Sequence, residues 1–143
     1  MNEKPTKKTR RFPLKRFYPK FDTEPERTFR NEVIAKTIPE EKYVSCETFF
    51  TKFRVYPIYP DVRFINIPVV VEVKGVHWHK SKRQIAKDKA KIECYLGEGF
   101  FVYECSDLDL KVHLERVKWD FQKFIEGARR DKFGKPTARV FKA

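Results

Sequence analysis

Pro60-Asp61-Val62-Arg63-Phe64-Ile65-Asn66-Ile67-Pro68-Val69-Val70-Val71-Glu72-Val73-Lys74 is the stretch from which the fold is read. Val69 to Val73 is an apolar, β-branched run holding one carboxylate, the pattern of a central strand covered on both faces. Asp61 to Ile65 predicts a shorter strand, and Asn66-Ile67-Pro68 a turn between the two. Side chains alternate along a strand, so Glu72 and Lys74 share one side. If the strands pair across the Asn66 turn, Asp61 approaches Glu72 near one edge of the sheet. Two carboxylates at close range repel, and burial raises the cost. A divalent cation such as Mg²⁺ or Mn²⁺, hard and oxygen-seeking, would relieve both. The plainer alternative is that Glu72 pairs with Lys74 or with another cation.

The flanking sequence supplies the other elements. Thr23-Glu24-Pro25-Glu26 has the form of a capping box and predicts a helix over about 24–37, with Phe29, Val33 and Ile34 inward and Pro39 closing it. Residues 43–58 are aromatic and β-branched and read as extended, broken by Pro57. Lys80 to Leu96 is helical in pattern, with Ile85, Ile92 and Leu96 on one face. At about 100° per residue Asp88 falls inside that same stripe. Gly97 is a natural C-cap. Phe100 to Cys105 predicts a strand. Ser106-Asp107 then caps a helix reaching about Gly127, with Leu110, Leu114, Val117, Phe121 and Phe124 spaced by three and four. The order αβββαβα describes an α/β (α+β) domain, a mixed central sheet flanked by helices.

The chain has 143 residues, 41% hydrophobic and 15% aromatic, enough for one packed core and too apolar for a disordered chain. No apolar run approaches the roughly 20 residues of a membrane span, and no signal peptide opens the sequence. An intracellular protein without a membrane partner is expected. Cys46, Cys94 and Cys105 show neither a disulfide framework nor CxxC spacing, so reduced, buried thiols are expected. The net charge of +12 sits at the ends: residues 1–20 carry eight Lys/Arg and one acid, and residues 129–143 carry six and one. Residues 21–128 hold 18 of each sign. This divides the chain into a basic arm (1–20), a core (21–128) and a basic tail (129–143). Lys7, Lys8, Arg10, Arg11, Lys15, Arg16, Arg129 and Arg130 are the expected contacts to a nucleic-acid backbone. Phe12, Phe17, Tyr18 and Phe141 interleave them and could stack on bases.

Pro-Asp, ten residues, then Glu-x-Lys resembles the PD-(D/E)xK nuclease superfamily, whose core is restriction-endonuclease-like. Here it continues into Gly75-Val76-His77-Trp78-His79, a helix holding Asp88, and a strand ending Tyr103-Glu104-Cys105. That succession is similar to the very-short-patch repair endonucleases and the related EDxHD-type homing endonucleases, over roughly residues 24 to 126. The resemblance implies that Asp61 is the central metal-binding aspartate, with Glu72 as its partner ligand and Lys74 beside them. Glu26 on the first helix, His79 as an acid–base group and Asp88 would complete the catalytic set. Trp78 would contact or wedge into the DNA stack, while His77 has no counterpart. Simpler roles compete: Glu26 as a capping residue, Asp88 paired with Lys74 or Arg83, Trp78 as core.

Departures from the pattern matter as well. The repair enzymes lack an acid at the Glu72 position, and their structural zinc has no ligand set here, since Val76 and Ser81 occupy the corresponding stretch. No structural zinc is expected. The resemblance therefore implies a Mg²⁺- or Mn²⁺-dependent DNA endonuclease, monomer or homodimer, acting on duplex DNA in repair, homing, or phage and mobile-element processing. RNA as the target, or a non-catalytic nucleic-acid-binding module of a nucleoprotein assembly, is the alternative.

Overall fold

In the computed structural model of the protein the described residues are 23–45, 57–75 and 81–143. The first helix opens as α1 (Glu24–Thr28), widens into a π-helical stretch (Phe29–Ile34) and closes with Ala35–Thr37. In a π-helical turn residue i+5 comes round to meet residue i. Phe29, Val33 and Ile34 are accordingly all buried. The expected capping box is not formed. Thr23 makes no side-chain cap bond, Pro25 occupies the first turn, and Glu26 is turned into the protein at 8% exposure.

Strands β1 (Tyr43–Ser45), β2 (Val62–Phe64) and β3 (Val69–Lys74) form an antiparallel meander. Helix α2 (Lys82–Gly97) crosses to β4 (Phe101–Ser106), which lies parallel to β3. The helices α3 (Asp107–Val112) and α4 (Leu114–Arg130) lead to β5 (Ala138–Val140), parallel to β4. The result is one mixed five-stranded sheet in the order β1-β2-β3-β4-β5.

Strand β3 is buried on both faces, as its continuous apolar run requires. Val69 and Val71 join Phe29, Val62, Phe64, Tyr103, Phe121 and Ile125 under α1 and α4. Val70 joins Ile58, Val102, Cys94 and Tyr95 under α2. The larger core is aromatic: the Phe121 ring meets Phe29 edge-on at 5.1 Å and Tyr103 at 5.1 Å. Such tilted pairs add roughly 0.5–1.5 kcal/mol beyond the area they bury. Cys94 and Cys105 are free, buried thiols.

Three expectations change. The single helix over 107–127 is two helices, because the chain leaves helical geometry at His113 (φ −124°, ψ 39°). Hydrogen bonds bracket the break, from His113 N–H to Asp109 and from Val117 N–H to His113. Leu110 and Val117 reach the core while Val112 stays 60% exposed. Gly127 does not stop α4; α2 does end at Gly97, but its C-cap is Glu98 and the left-handed backbone falls on Gly99, at φ 93°. Residues 129–143, expected as a tail, begin inside α4, supply β5 and bury Phe141. The arm over 1–20 and Cys46 lie outside the described residues.

Candidate functional site

The register of β2 against β3 pairs Val62 with Val71 and Arg63 with Val70, so Asp61 stands opposite Glu72 one step further on. The Val73 amide donates to Asp61 Oδ2 at 2.7 Å, which fixes this carboxylate over the end of β3. Burial first, then the charges of Glu72 and Glu26, hold the Asp61 carboxyl well above the usual carboxylate range. The Val73 amide and Lys91 act in the opposite direction. Asp61 also raises the Cys105 thiol at the end of β4, behind burial and Asp109. Glu26, Asp61 and Glu72 are thus one electrostatic cluster at the ends of the central strands.

Glu72 is 3% exposed, and each of its carboxylate oxygens accepts one hydrogen bond. Tyr95 Oη donates to its Oε2 at 2.8 Å, and Lys91 Nζ donates to its Oε1 at 3.2 Å. The cation facing Glu72 is therefore Lys91 on α2, not Lys74. Lys74 instead approaches Asp88 at 3.8 Å, and Asp88 Oδ1 accepts from Gln84 Nε2 at 3.0 Å. Asp88 is half-buried between exposed neighbours, which agrees with its predicted inward direction. Ile85, predicted on the same face, is 53% exposed.

Lys91 and Tyr95 were not singled out from the sequence, yet a signal existed. They lie three and seven residues after Asp88, on the helical stripe that turns Asp88 inward. A second buried carboxylate was missed as well: Asp120, on α4, accepts from Tyr103 Oη at 2.9 Å and from Arg139 Nε at 3.0 Å. This network ties β5 to α4 on the far side of β4.

The remaining expected residues divide. Arg129 is committed to Glu41 at 2.7 Å and Glu40 at 2.9 Å, an internal clamp rather than an open cation. Arg130 is 72% exposed on its side chain, 3.9 Å from Asp131. Trp78, His77 and His79 lie outside the described residues, as do Lys7, Lys8, Arg10, Arg11, Lys15 and Arg16. Among the described residues no three His, Cys, Asp or Glu side chains converge as a metal site. The fit to a cation rests on two, Asp61 and Glu72. That suits Mg²⁺, which takes one or two carboxylates together with substrate phosphate.

No protein-family model and no curated protein matches the chain. Among solved structures it is similar to the homing endonuclease I-Bth0305I catalytic domain. The identity is 24%, the match covers 72% of this chain and 94% of that one, and the TM-score is 0.51. The likeness is one of fold. In that fold the mixed sheet brings Asp61, just before β2, to the end of β3 that holds Glu72, while α2 crosses the Glu72 side with Asp88, Lys91 and Tyr95.

Proposed function

We propose that the protein is a DNA endonuclease that hydrolyses phosphodiester bonds at the Asp61–Glu72 cluster. The carrying observation is the cost accepted there: burial and the charges of Glu72 and Glu26 hold the Asp61 carboxyl well above its usual range, at a point anchored by the Val73 amide. A carboxyl perturbed by burial and by specific neighbouring charges is a candidate for a working site. The similarity to a homing endonuclease catalytic domain supports the same reading.

Asp61 and Glu72 would hold Mg²⁺ or Mn²⁺, and such an ion supplies Lewis-acid charge to a phosphoryl oxygen when bound. The chain's own groups prepare the site. Tyr95 and Lys91 fix both oxygens of Glu72. The Val73 amide fixes Asp61, and Asp88 holds the Lys74 ammonium at the end of β3. Glu26 adds negative charge from α1. His79 serves in this reading as the acid–base group. Trp78, the basic arm over 1–20 and Arg130 grip the duplex.

A second reading, a nucleic-acid-binding module without catalysis, draws on one observation. Both Glu72 oxygens are already satisfied within the chain, and a lysine supplies the counter-charge. Supercoiled plasmid incubated with Mg²⁺ or Mn²⁺ separates the two. Nicking that disappears in Asp61→Ala and in Glu72→Ala supports the endonuclease; tight binding without nicking in any metal supports the module.

A further inference from the structure

Helix α2 runs opposite to β3. Asp88 meets Lys74, Lys91 meets Glu72, and Tyr95 packs with Val70. Asp88 therefore sits by the last residue of β3, and residues 82–87 continue past the strand end for about 9 Å at 1.5 Å per residue. All six are exposed, including Ile85, whereas from Asp88 onward inward-facing residues recur. The overhang emerges at the end of the sheet where Asp61 is anchored on the Val73 amide.

Its composition works against an isolated helix. The first turn holds Lys82 and Arg83 and no acid, against the positive end of the helix dipole. Arg83 and Lys87 stand one turn apart, a like-charge pair that destabilises. Lys82, Arg83 and Lys87 form no ion pair with the described residues. The one acid among residues 82–92, Asp88, is turned inward onto Lys74 and Gln84. The charge balance of residues 21–128 hides this asymmetry: α2 carries five cations and two acids. A basic helix face is often only a solvated surface. This one borders a carboxylate cluster that would itself repel phosphate, so the overhang supplies the attraction that the cluster lacks.

We propose that the first turns of α2, through Lys82, Arg83 and Lys87, are the docking surface for the phosphate backbone of duplex DNA beside the Asp61–Glu72 cluster. The inference rests on the endonuclease reading and assigns where that site holds its substrate.

The test uses the full chain, wild type and a Lys82→Ala, Arg83→Ala, Lys87→Ala triple variant, with a labelled duplex and Ca²⁺ in place of Mg²⁺. Alanine favours the helix and removes the like-charge pair, so the melting temperature should hold or rise. Three lost phosphate contacts should make the slope of log affinity against log salt shallower by about 2.7. Should the alanine variant melt well below wild type, the glutamine triple, Lys82→Gln, Arg83→Gln, Lys87→Gln, carries the same comparison. A wild-type protein that binds duplex with a slope shared by the folded variant overturns the docking surface, and plasmid nicking then judges the endonuclease reading separately. A wild-type protein that binds no duplex at any salt overturns both.

Discussion

Replacing Lys91 with methionine isolates the counter-charge of the acidic cluster. Lys91 Nζ lies 3.2 Å from Glu72 Oε1, with side chains 24% and 4% exposed. Methionine keeps the aliphatic stem and removes only the ammonium. Breaking a fully buried ion pair costs roughly 3–5 kcal/mol, because the surviving charge is stranded. Here Lys91 retains some water and Tyr95 stays on Oε2, so about 2 kcal/mol is the expected loss. For a domain of this size that corresponds to a melting temperature lower by about 8 °C. Thermal unfolding by circular dichroism at pH 8 without divalent metal measures it. Glu72→Gln in the same background should recover most of the loss, since a neutral partner no longer needs the ammonium, and the two changes should couple by more than about 1 kcal/mol. Mg²⁺ should stabilise Lys91→Met more than wild type, because an added cation then replaces a missing one. A Lys91→Met protein that melts within about 2 °C of wild type, with additive double-variant behaviour, refutes the picture of an electrostatically burdened cluster.

Asp61 has a raised folded-state pKa, so its contribution to stability is complete below the ordinary carboxylate range and declines as pH rises through the raised value. Metal-free protein should lose stability over that rise, Asp61→Asn should flatten the decline, and Mg²⁺ should offset it; melting temperature against pH reads all three. Asp120→Ala strands the Tyr103 hydroxyl and releases Arg139. A loss of about 3 kcal/mol is expected, together with faster amide exchange at 138–141, where β5 leaves the sheet. Burial, followed by Asp109 and Asp61, pushes the Cys105 thiol far up. Alkylation at pH 8, followed by mass spectrometry, should leave Cys105 unmodified in the folded protein and modify it in denaturant.

The central strand and its carboxylate were legible because burial on both faces leaves a continuous apolar signature, and Glu72 stands out within it. The Asp61–Glu72 approach followed from alternation and one antiparallel turn. Asp88 was legible from helical angle alone. The identity of the cation on Glu72 was not. Lys74 is two residues away in sequence and on the same strand side, but β3 ends there, and its ammonium turns to Asp88. Lys91 is nineteen residues away, and only the antiparallel placement of α2 on β3 selects it. Ile85 misled for the same reason, since helical periodicity predicts a face but not where the helix outruns the sheet. The Asp120–Tyr103–Arg139 network joins three elements, one of them a short strand inside a segment whose charge reads as a tail.

The most direct measurement is single-turnover cleavage of an end-labelled duplex in Mg²⁺ by wild type and Asp61→Asn, with duplex affinity measured on both. Asparagine keeps the size of the side chain and an oxygen for the Val73 amide, and it removes the negative charge. A rate lower by at least about a hundredfold, with affinity within about threefold of wild type, is the expected result. Cleavage by Asp61→Asn at the wild-type rate, or a wild-type protein that yields no metal-dependent product, would contradict the assignment of the site.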